Sequence, residues 1–64
     1  MSNEMLRYLA EKINEEIKHM SEDMALGKAK DFGDYKYACG IIRGLMMTTN
    51  IIMETAERME NDDD

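Results

Sequence analysis

Large apolar residues return every three or four positions through the first part of the chain: Leu6, Leu9, Ile13, Ile17, Met20 and Met24. Polar and charged residues fill the gaps. This is one stripe of an amphipathic helix. Ser2 or Asn3 is placed to cap its start, and Glu4 in the first turn favours the helix dipole. Arg7 with Glu11, Lys12 with Glu16, and Lys18 with Glu22 are helical neighbours on the wet side. Each such pair is worth only about 0.2–0.5 kcal/mol.

Gly27 follows the last apolar residues and marks the helix end, since glycine takes the left-handed conformation without a Cβ clash. Leu26 beside it is expected to close the hydrophobic contact of that cap. Gly27 to Lys30 then form the connector. Asp31 is suited to be the N-cap of a second helix, with Asp34 in its first turn.

From Tyr35 onward a heptad pattern holds. Tyr35, Ile42, Thr49 and Ala56 form one row; Ala38, Leu45, Ile52 and Met59 form the other. The pattern predicts an all-α fold, an antiparallel αα-hairpin of two long helices spanning about 3–26 and 31–61. Its seam is expected to hold Leu6, Leu9, Ile13, Ile17, Met20, Met24, Tyr35, Ala38, Ile42, Leu45 and Ile52. The 64 residues make a single unit, with positions 61–64 expected as a frayed acidic tail. Each helix of a lone hairpin has one neighbour, so completion by oligomerisation or by docking on a partner is the physical expectation.

The second helix carries a further pattern. At about 100° per residue, Gly40 and Gly44 fall roughly opposite Ile42 and Leu45. Tyr37, Met47 and Ile51 share their side. An exposed helical glycine costs about 1 kcal/mol relative to alanine. Small residues four apart let another backbone approach closely, an argument best known in membranes but steric in origin. Tyr37, Gly40, Gly44, Met47 and Ile51, with Arg43 alongside, are therefore the expected partner interface. Arg43 suits a carboxylate or a backbone carbonyl of that partner. Met46, Met47 and Met53, among eight methionines, fit an adaptable packing surface.

Charge narrows the partner class. The net charge of −6 disfavours nucleic-acid binding by charge neutralisation. The charge is also polarised. Lys28, Lys30, Lys36 and Arg43 outnumber Asp31 and Asp34 in the middle, whereas Glu54, Glu57, Glu60 and Asp62 to Asp64 face only Arg58 at the end. The N-terminal stretch lacks a basic start and a continuous apolar run, so no signal peptide is read there. The most apolar segment, Ala38 to Met53, is interrupted by Arg43 and Asn50 and is short of the ~20 residues a bilayer needs. A soluble intracellular protein is the expectation.

Chemistry is sparse. Glu16 and His19 form half of a di-iron carboxylate motif. The second helix offers no carboxylate between Tyr35 and Met53 to complete it, and a solvated face is the simpler reading. The single Cys39 excludes an intramolecular disulfide and has no second histidine to activate it. Gly27-Lys28 lacks the remainder of a phosphate-binding loop. No catalytic residue, metal site or cofactor is read from the chain.

The segment Lys30 to Leu45, KDFGDYKYACGIIRGL, resembles one found in small, mostly uncharacterised proteins of tailed bacteriophages. Asp31, Phe32, Tyr35, Cys39, Gly40, Ile41, Ile42, Arg43, Gly44 and Leu45 carry the resemblance, which covers about a quarter of the chain. It implies a phage-encoded structural or virion-assembly accessory protein, found in the host cytoplasm and the virion, whose partner is itself or a phage structural protein. A rival reading is a small acidic inhibitor of a host nucleic-acid enzyme, with Glu54 to Asp64 imitating phosphates.

Overall fold

The computed structural model describes residues 2–61, with side chains from Asn3. The chain forms two helices, α1 (Ser2–Ala25) and α2 (Phe32–Asn61), packed against each other along their length. No strand occurs among the described residues. The hairpin is a rod of 52 × 14 × 11 Å. Of the expected acidic tail, Asp62 to Asp64 lie outside the described residues.

The turn is held by two caps. Gly27 has φ 77°, the left-handed conformation that only glycine adopts freely. Its N–H donates to Met24 O at 3.0 Å, and the Lys28 N–H donates to Asp23 O at 3.0 Å. These are the two bonds of a Schellman motif. The expected apolar contact of this cap does not form, because Leu26 is 73% exposed. An ion pair takes that place: Lys28 Nζ lies 3.2 Å from Asp23 Oδ1. The same two residues that share the outer backbone bond are thus joined again through their side chains.

At the start of α2, Asp31 Oδ1 accepts the Asp34 N–H at 2.8 Å. Asp34 Oδ2 in turn accepts the Lys30 N–H at 3.2 Å. The arrangement is close to a capping box, displaced by one residue on the return bond. At the start of α1, Asn3 lies inside the helix and donates its side-chain amide to Glu60, so it is not the cap.

Small side chains are the most deeply buried between the helices. The buried residues are Ala10, Ala38, Thr49 and Ala56, at 2, 5, 7 and 0% exposure. The large apolar residues of the seam, Leu6, Ile13, Ile17, Met20, Met24, Ile42, Leu45 and Ile52, are half-buried around them. Two expected seam positions differ. Leu9 is 44% exposed, and Ala10 occupies the seam in its place. The stripe on α1 then runs Leu6, Ala10, Ile13, Ile17, Met20, Met24, a stricter alternation of four and three. The contacts of Glu60 with Asn3 and Arg7 set Ala10 about level with Ala56, where a leucine would hold the backbones apart. Tyr35 is 46% exposed, because it sits level with the connector, past the end of α1. Its ring lies 6.3 Å from that of Phe32 instead.

The open end is tied across the helices. Glu60 Oε2 accepts from Asn3 Nδ2 at 2.8 Å and from Arg7 Nη2 at 3.0 Å and Nε at 3.3 Å. Arg7 therefore pairs across the hairpin and not with Glu11. Lys12 pairs with Glu15, at 3.4 Å, and not with Glu16. No ion pair joins Lys18 to Glu22 among the described residues.

Candidate functional site, the outer face of α2

The outer face of α2 follows from its register. With Ala38, Thr49 and Ala56 turned to α1, the opposite side presents Tyr37, Gly40, Gly44, Met47 and Ile51. All five are exposed, Tyr37 at 73%, Met47 at 58% and Ile51 at 61%; Arg43 on their flank is exposed as well. The apolar stripe thus lies in solvent along the middle of the helix.

The glycines on this face have no role within the hairpin. A Cβ built on Gly40 or on Gly44 meets nothing within 4 Å, and neither has positive φ. Intrachain packing would accept alanine at both positions. The gap at Gly40 opens a shallow depression of about 480 Å³, lined by Tyr35, Lys36, Cys39, Gly40 and Arg43. Beyond it, Thr48 donates its hydroxyl to Gly44 O at 2.8 Å, and Thr55 does the same to Ile51 O at 2.8 Å. These bonds to the preceding turn satisfy the threonine hydroxyls without drawing on a neighbour.

Electrostatics differ along the face. None of the ion pairs among the described residues involves Arg43, Glu54 or Glu57. Glu60 differs from them. Hydrogen bonds from the Asn3 amide and then Arg7 hold its carboxyl below the usual carboxylate range. The Tyr35 phenol is pushed up, mainly by hydrogen bonding to Cys39 one turn on. Cys39 itself is half-buried and free.

Glu16 and His19 are both exposed on α1. Among the described residues no three His, Cys, Asp or Glu side chains converge as a metal site, and no helix is long and apolar enough to cross a membrane.

Two features escaped the sequence pattern. Met5, Tyr8 and Leu9 are exposed together near the start of α1, at 68, 58 and 44%. The spacing of Met5 and Leu9, one helical turn, carried that signal. The second is the Thr49 hydroxyl, buried with no hydrogen-bond partner among the described residues. It borders a cleft of about 180 Å³ with Asn14, Ile17, Met46 and Asn50. A periodicity count registers the position of a threonine but not the fate of its oxygen.

The site and fold define a helical hairpin with an unpartnered outer face. Set against known protein families, curated proteins and solved structures, the chain matches none.

Proposed function

We propose that this chain is a non-enzymatic packing module, in which the outer face of α2 engages protein while α1 covers the other side. One observation carries the reading. Gly40 and Gly44 stand in open space where the hairpin would accept larger residues, on a face continued by exposed Met47 and Ile51. Two helix-weakening residues in that setting are explained by close approach of another backbone.

The resemblance of Lys30 to Leu45 supplies the biological setting: a structural or virion-assembly accessory protein of a tailed bacteriophage, packing with itself or with a larger phage protein. The rival, a phosphate-imitating inhibitor, has fewer carboxylates to draw on, since Glu60 is held by Asn3 and Arg7.

Light scattering of the Gly40→Leu and Gly44→Leu variants tests the packing role. Loss of the assembled species with helicity retained supports it; unchanged assembly with raised helicity removes it. Mass spectrometry of purified particles tests the setting. The chain is expected among their proteins, and its absence would exclude a structural place in the virion.

A further inference from the structure

We propose that the protein covering α2 is a second copy of this chain, packed antiparallel about a twofold axis beside Met47 and Ile51. The inference rests on the outer-face reading and adds partner, direction and register.

A compact monomer of 7.4 kDa exposes about 4,200 Å² by the usual scaling of surface with mass. This chain exposes 5221 Å². The surplus of about 1,000 Å² is close to the ~800 Å² that each partner contributes to an interface of standard size. One copy of the chain is thus enough to cover what another leaves open.

Tyr37, Gly40, Gly44, Met47, Ile51, Glu54 and Arg58 form an alternation of three and four along one side of α2. Two such rows packed antiparallel set Met47 of each copy against Ile51 of the other. Gly44 then faces Glu54 of the second copy, and Gly40 faces its Arg58. The missing side chains leave room for those long stems. Glu54 and Arg58, one turn apart, offset each other's charge. On the flank, Arg43 comes level with Glu57 of the second copy, and twofold symmetry repeats that pair. Both groups are free of ion pairs among the described residues of the hairpin. In a parallel pairing the twofold axis carries the flanks of the two copies to opposite sides of the interface, so Arg43 meets Glu57 of the second copy only in the antiparallel arrangement. Because the seam and the outer face lie on opposite sides of α2, the dimer is a flat layer with the two α2 helices inside and the α1 helices outside.

Sedimentation of the full chain across a concentration series tests this, with circular dichroism to verify helicity. The native chain is expected as a dimer. Arg43→Glu and Glu57→Arg should each raise the dissociation constant about tenfold, by turning two attractive pairs repulsive. The double variant should return it toward the native value. Met47 faces Ile51 of the second copy, so Cys39→Ser/Met47→Cys/Ile51→Cys should oxidise to a covalent dimer. The native Cys39 residues lie about 30 Å apart along the paired helices at 1.5 Å per residue, so the native chain should not.

A native chain monomeric throughout would overturn the second copy as partner, while leaving a larger protein as the occupant. A dimer abolished by Gly40→Leu and Gly44→Leu but indifferent to both charge reversals would overturn the register alone. A dimer indifferent to the glycine variants would overturn the outer-face reading as well.

Discussion

The two sides of α2 both use small residues, to opposite ends. On the seam, Ala38, Thr49 and Ala56 are buried against α1. On the outer side, Gly40 and Gly44 are exposed and a Cβ there would meet nothing. The seam residues have reached their neighbour; the outer ones have space prepared and no intrachain contact to fill it. Smallness alone therefore does not identify an interface within the chain. What separates the two cases is whether the space that a larger side chain would take is occupied.

The largest test acts on the seam. Ala56→Leu should overpack the fully buried Ala56 position between the helices and destabilise the hairpin by about 1–3 kcal/mol in urea denaturation. A neutral result would mean that the helices separate there without cost. On the outer side the sign should reverse. Gly40→Ala with Gly44→Ala should stabilise the isolated hairpin, by up to about 1 kcal/mol for each position, while weakening assembly. Thermal unfolding in dilute solution and light scattering at high concentration read the two effects separately. A smaller gain is expected from Thr49→Val, which removes a buried hydroxyl lacking a partner; about 1 kcal/mol of stabilisation should appear in the same denaturation assay.

The mildest test lies at the open end. Glu60 is exposed, and its carboxyl is held low by Asn3 and then Arg7. Its contribution is therefore present above the ordinary glutamate value, near 4.5, and is lost as pH falls through the lowered folded value. Glu60→Gln should flatten that part of the acid-unfolding curve and leave the neutral-pH fold intact. An unchanged curve would show that the cross-helix bridge contributes nothing.

The hairpin itself was largely legible. The alternation of apolar residues, Gly27 and Asp31 placed both helices within about a residue of their ends, because caps and periodicity are local properties of the sequence. A hydrophobic count places Leu9 on the seam because it favours the larger residue, whereas close helix contact favours the smaller Ala10. A heptad row puts Tyr35 on the seam because it continues regardless of where the opposite helix stops. The sequence pairs Arg7 with Glu11 because helical spacing is visible in it and cross-helix register is not. The outer face was legible as a spacing; that its glycines lie in open space needed the backbone of α1 to be placed first.

Glu60 ties together residues that are distant in the chain. Its contact with Asn3 joins positions 57 residues apart, and Arg7 adds a second hold one turn further along α1. Fraying at this end is then coupled across the helices: hydrogen-exchange protection in the first two turns of α1 and the last turn of α2 should fall in step as acid neutralises one carboxylate.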